Sequence, residues 1–161
     1  MSGSILSAFA SPPHDRWFED YVPGQRYRFG RIEVREDEVI RFATEFDPQP
    51  FHIDAEAAAS SPFGGLIASG WHTASLVMRV LVDHYVSLVA GLSSPGIDEL
   101  RWLAPVRPGD VLTVGVDILE ARRSRSKPDR GIVTARVTAY DESDQPVMTL
   151  QAVNLFASRP V

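Results

Sequence analysis

The chain contains no cysteine. That removes disulfides, thiolate metal sites and cysteine nucleophiles together, and it favours a reducing compartment. Excess basic charge is missing too: 16 Lys and Arg against 21 Asp and Glu leave a net charge of −5, so nucleic acid has no electrostatic footprint to bind. Nor is there a long unbroken apolar run. The most apolar helical stretch, residues 70–90, is interrupted by His72, Ser75, Arg79, Asp83 and His84, and unpaired charges at mid-helix are costly in lipid. The opening MSGSILSAFASPP has no basic residue before its short apolar run, which makes a poor secretory signal. The expectation is a cytoplasmic protein with neither a membrane span nor a nucleic-acid partner.

What is present suits one globular domain. The 161 residues are 44% hydrophobic and 23% charged, an ordinary balance. A chain of this size buries roughly 70% of its unfolded surface, so its core needs no staple. Residues 1–17, rich in Ser and Pro, read as a loose or draped extension, and residues 18–161 as a single domain.

The order of elements follows from periodicity and punctuation. A Pro-Gly turn at 23–24 precedes an alternating strand over 26–34. Acids open a helix over 36–46, in which Val39, Phe42, Ala43 and Phe46 share one face, and Pro48 ends it. Asp54 is placed to cap a short helix that stops before Pro62 and the Gly64-Gly65 pair. A long helix starts near Ser69-Gly70 and runs to about Ala90, with Gly91 as its cap. It is apolar over most of its circumference and is therefore expected to be central and buried on most sides. About four strands rich in Val, Ile, Thr and Leu follow, divided by turns at 107–110, 127–131 and 142–146. Such short turns imply antiparallel hairpins. Helices followed by strands indicate an α+β fold, a curled antiparallel sheet around one long helix.

Two stretches carry chemistry. In DPQPFH, residues 47–52, two prolines restrict the backbone between Asp47 and His52. A rigid carboxylate–imidazole pair suits general acid–base catalysis, although such loops also serve simply to turn the chain. In FGGLIASGWHT, residues 63–73, Gly70 stands at the start of the long helix. The first amides of a helix lack partners and carry partial positive charge. With no side chain at residue 70, an oxygen can approach that N–H, as in an oxyanion hole for a thioester or ketone; close helix packing would also require glycine. Taken together, the stretches suggest chemistry beside a carbonyl.

These two stretches, with FEDYVPGQRY upstream and LRWLAPVRPGD downstream, resemble the MaoC-like acyl dehydratase family, which includes the R-specific enoyl-CoA hydratases. The resemblance spans about residues 18–158 and implies a hotdog fold. It implies reversible addition of water to a 2-enoyl thioester in fatty-acyl metabolism, by Asp47 and His52 as the catalytic pair and the Gly70 N–H as oxyanion donor. Substrate contacts are expected at Gln49, Phe51, Trp71 and His72. No metal or redox cofactor is implied, coenzyme A being part of the substrate, with acyl carrier protein as the other carrier. A homodimer or larger homo-oligomer is expected. The family motif commonly has asparagine where Gln49 stands, glycine where Phe46 stands, and, in short-chain members, serine where Met78 stands.

The same residues also fit two rival readings. A hotdog thioesterase would use the same helix end to hydrolyse the C–S bond, and a non-catalytic acyl-thioester-binding protein would keep the fold without turnover. His72 reads either as a pocket residue or as a histidine hydrogen-bonded in the core. Asp47, His52, Asp54 and His72 match no zinc spacing, and LIASGW is not a nucleophile elbow. Arg122, Arg123, Arg125, Lys127 and Arg130 cluster at 120–131. They suit either phosphate binding or a charged hairpin end that discourages edge pairing.

Overall fold

A computed structural model of the chain describes residues 3–161. Six strands form one sheet in the order β1-β2-β4-β5-β6-β3. They are β1 (Ile5–Leu6), β2 (Arg26–Glu33), β3 (Gly91–Trp102), β4 (Val111–Arg123), β5 (Arg130–Tyr140) and β6 (Pro146–Ala157). Helices α1 (Glu36–Phe46), α2 (Pro50–Ile53) and α3 (Ala55–Ala59) precede the long α4 (Gly70–His84). All strand pairings are antiparallel except the short β1–β2 contact.

Alternation builds the core. On β4, Leu112, Val114, Val116 and Ile118 point inward, as do Val133, Ala135, Val137 and Ala139 on β5, and all are at most 2% exposed. They share one hydrophobic cluster with Val77, Val80 and Leu81 of α4, so the sheet's inner face and the helix bury each other. This is the expected α+β hotdog arrangement. Helix α4 is, however, less enclosed than its sequence implies. Trp71, Ser75, Met78 and Arg79 form an exposed stripe, and nearly all of β3 is exposed beside it.

Two further expectations are corrected. Turn 107–110 does not close a hairpin between β3 and β4: β3 pairs with β6 at the far edge, whereas β4 pairs with β2 and β5. The segment between β3 and β4 crosses the start of α4 instead, and the Val106 carbonyl accepts from the Ala68 N–H at 2.7 Å. This crossing carries residues 103–106 to the site described below.

Helix α4 also stops at His84, well before Ala90. Its end is set by the extension. Buried Arg16 donates to the His84 carbonyl at 2.6 Å and to the Tyr85 carbonyl at 3.0 Å. The Tyr21 hydroxyl donates to the same Tyr85 carbonyl at 2.8 Å. These donors satisfy carbonyls that a further helical turn would have claimed, and the cation suits the negative end of the helix. The Arg16 guanidinium also lies 3.9 Å above the Phe9 ring, which stacks on Tyr27 with centroids 4.0 Å apart. The extension is thus draped and packed on the domain, with β1 alongside β2.

Replacing Arg16 by Met leaves the part-buried His84 carbonyl without its donor, while the Tyr85 carbonyl keeps the Tyr21 hydroxyl. The expected loss is roughly 1–3 kcal/mol of stability, the scale for an unsatisfied buried polar group. Denaturant unfolding checks it, and an unchanged midpoint would show that Arg16 does not hold the helix end.

Candidate active site

The loop after α1 sets the first wall of the site. Asp47 caps that helix, its N–H donating to the Ala43 carbonyl at 2.8 Å. Pro50 opens α2, where a missing N–H costs nothing, and two residues later His52 is buried at 5% exposure. Asp54 caps α3 by accepting from the Glu56 and Ala57 amides at 2.9 and 3.1 Å. It therefore has the capping role its position suggested.

The geometry of His52 fixes its proton. Nδ1 lies 2.7 Å from the Ile67 carbonyl oxygen, which can only accept, so Nδ1 carries the hydrogen. Nε2 is then the nitrogen that faces Asp47, with 3.3 Å between it and Oδ2. Both atoms are acceptors unless a proton lies between them. The pair therefore has a place for one proton, or for a water that donates to both.

Asp47 is held as a carboxylate. Gln49 Nε2 donates to Oδ1 at 2.7 Å, and the Ser69 hydroxyl donates to Oδ2 at 2.7 Å. The Gln49 bond foremost, then the Ser69 bond, and to a smaller degree His52, keep the Asp47 pKa below its ordinary 3.8, against partial desolvation that raises it.

Gly70 begins α4 beside this pair. Among the described residues its N–H meets no acceptor, as expected for the first amide of a helix. Close packing, one of the two sequence readings of this glycine, is seen directly. A Cβ here would fall 2.4 Å from Cε2 of the Trp102 indole, which packs over it and donates from Nε1 to the Gly70 carbonyl at 2.9 Å.

A cavity of ≈ 390 Å³ brings together Asp47, Gln49, His52, Gly70 and Trp71, closed by Thr73 and the 102–106 segment. Two expected contacts lie elsewhere. Phe51 packs edge-on against His52, centroids 4.5 Å apart, and against Phe63 at 5.1 Å, outside the cavity lining. His72 lies in a groove between α1 and α4 beside Phe42, 5.0 Å away. Among the described residues neither of its ring nitrogens has a partner, and burial above all holds its pKa below the usual 6.5.

Sequence reasoning missed Ser69 as the second hydrogen-bond donor to Asp47, and Trp102 as a wall of the cavity. The adjacency of Ser69 to Gly70 was the available signal for the first. The basic cluster lies away from the cavity. Arg122 pairs with Glu120, Arg123 with Glu19 and Arg130 with Asp129.

A model of the family described as MaoC like domain matches residues 19–141. The chain belongs to this family. Among solved structures, the MaoC-like dehydratase from Rhodospirillum rubrum is 42% identical, with a TM-score of 0.82, covering 91% of this chain and 99% of that one. Uncharacterized protein YdeM of Bacillus subtilis is 29% identical over 132 residues, 80% of this chain and 90% of its own length. A protein named 3-hydroxybutyryl-CoA dehydratase from Methylorubrum extorquens is 36% identical over 109 residues, 65% of this chain and 64% of its own length. The MaoC-like membership agrees with the hotdog architecture and with the motif around Asp47 and His52.

Replacing Ser69 by Ala removes one stabilising bond to the carboxylate, so the Asp47 pKa is expected to rise. A carboxyl ¹³C NMR titration reads this directly. Because the folded pKa lies below 3.8, the bonds to Asp47 stabilise the fold above that pH and lose their effect as pH falls through the folded value. An Asp47 titration identical in Ser69→Ala and wild type would show that the hydroxyl does not tune the acid.

Proposed function

We propose that this MaoC-like chain interconverts a 2-enoyl thioester and its 3-hydroxyacyl partner by adding or removing water. One observation carries the reading. Asp47 Oδ2 and His52 Nε2 stand 3.3 Å apart on a cavity that also presents the unpartnered Gly70 amide. Family membership and the similarity to a protein named 3-hydroxybutyryl-CoA dehydratase support the reaction class.

The steps follow from where protons can move. The thioester oxygen accepts from the Gly70 N–H, and a water sits between the Asp47 carboxylate and His52 Nε2. As the water oxygen bonds to the β-carbon, His52 Nε2 takes its proton and the double-bond electrons shift towards the thioester. The Gly70 amide, aided by the positive end of α4, stabilises the enolate-like oxygen. The pair then delivers a proton to the α-carbon, so the product gains one OH and one H. Dehydration retraces the path. Asp47 orients the water and stabilises the charge that His52 acquires, which a carboxylate with a lowered pKa does across the neutral range.

The acyl carrier is coenzyme A or acyl carrier protein, and the working unit is a homodimer. Strand β3 is a sheet edge with nearly every residue exposed, including Ile97 at 56%, next to Met78 at 49%. An edge with unpaired backbone groups invites another strand, and a second copy is the simplest partner. Among the described residues no helix is long and apolar enough to cross a membrane.

The test is a panel of 2-enoyl-CoAs, followed by loss of conjugated-thioester absorbance. Wild type is expected to hydrate at least one member, and Asp47→Asn and His52→Ala to lose at least ~10²-fold, the lower scale for acid–base groups. Undiminished turnover in either variant would contradict the reading. Release of free thiol would indicate a thioesterase, and binding without turnover a non-catalytic acyl-thioester carrier.

A further inference from the structure

A second cavity, of ≈ 330 Å³, lies between α4 and strands β3 and β6, and no charged side chain lines it. Its walls include Met78, Leu81, Ile97, Leu100 and Leu150, chemistry that suits an alkyl chain and little else. Trp71 is common to both cavities: it lines the catalytic one beside Gly70 and the apolar one beside Ala74. The indole therefore stands between the place where a thioester would react and the place where a long acyl chain could lie.

The two tryptophans at this boundary differ in how they are held. Trp102 is fixed by its Nε1 bond to the Gly70 carbonyl and by close packing over that glycine. It follows a bulge in β3, where Asp98 to Arg101 opposes Gln151 to Thr149 and Glu99 adopts φ 53. Bulges commonly re-aim a strand's side chains near a site, and this one precedes Trp102. Trp71 is 58% exposed and rests edge-on against Trp102, with ring centroids 5.1 Å apart at 79°. An exposed side chain can change rotamer quickly.

We propose that Trp71 sets acyl-chain length: in its observed position it separates the catalytic cavity from the apolar one, so that short 2-enoyl thioesters are favoured. Trp102 acts as the fixed surface against which it closes. A longer chain enters the apolar cavity only when the indole swings aside. This rests on the hydration reading for the place of the thioester. The indole's position as partition comes from the two cavities themselves.

The experiment compares kcat/KM for (2E)-butenoyl-CoA and (2E)-octenoyl-CoA in wild type, Trp71→Ala and Trp71→Leu. Wild type is expected to prefer butenoyl. In the variants the octenoyl-to-butenoyl ratio is expected to rise at least ~10-fold, the lower end of discrimination by hydrophobic pockets. A ratio unchanged in both variants, or a wild type that takes octenoyl as well as butenoyl, would overturn the proposal. Calorimetric binding of saturated butyryl- and octanoyl-CoA gives a second readout independent of turnover and covers a variant that folds but loses activity. Octanoyl binding tightened at least ~10-fold relative to butyryl supports the partition, and an equal change for both overturns it. If wild type hydrates nothing in the panel, the hydration reading fails, and the binding ratio still decides the role of Trp71.

Discussion

The hydrogen bond from His52 Nδ1 to the Ile67 carbonyl, 2.7 Å long and buried, is the constraint on which the site depends. It selects the tautomer, turns Nε2 towards Asp47, and joins the Asp47–His52 loop to the run before α4. Ile67 is fixed in turn, because its own N–H donates to the Phe51 carbonyl at 3.2 Å, and the next amide, Ala68, donates to Val106 at 2.7 Å. Three segments distant in sequence are thereby clasped where the imidazole must point. If the bond were lost, the imidazole could exchange tautomers, and an unprotonated Nε2 would no longer face the carboxylate reliably.

The rest of the fold keeps the helix end and that pair in register. The sheet buries one face of α4 while Arg16 of the extension and Tyr21 just after it capture its far end. The near end is held by Trp102 and the 102–106 crossing. A helix fixed at both ends presents its first amide at a constant position, as the proposed oxyanion role of that amide requires. The hotdog architecture thus converts a generic property of helix termini into a placed charge.

Much of this was legible in the sequence where the determinant was local. The acids at 36–38, the stop at Pro48, the cap at Asp54 and the entry at Ser69-Gly70 all act within a few residues, and each element starts or ends where they indicate. Two errors came from partners distant along the chain. The end of α4 depends on Arg16, some 68 residues away, and no pattern within 70–90 encodes it. β3 pairs with β6 rather than β4, and the segment leading to the turn at 107–110 bonds to Ala68 instead, through the Val106 carbonyl, although that turn looked sufficient to make a hairpin. In the site, the Asp47–His52 pair and Gly70 were readable because prolines and a glycine mark them. The part played by Ser69 was not, because its hydroxyl bonds to Asp47, 22 residues away, and no local pattern encodes that contact. Phe51 and His72 follow the motif in sequence, yet the turn of each helix directs them away from the cavity.

The central claim is that one bound thioester meets Gly70, Asp47 and His52 at once. A crystal structure of Asp47→Asn, which should bind but turn over slowly, with a 3-hydroxyacyl-CoA tests it most directly. The account predicts the thioester oxygen about 2.7–3.1 Å from the Gly70 nitrogen, with the 3-hydroxyl contacting both residue 47 and His52 Nε2. A ligand whose thioester lies away from that amide, or whose hydroxyl faces solvent, would contradict it.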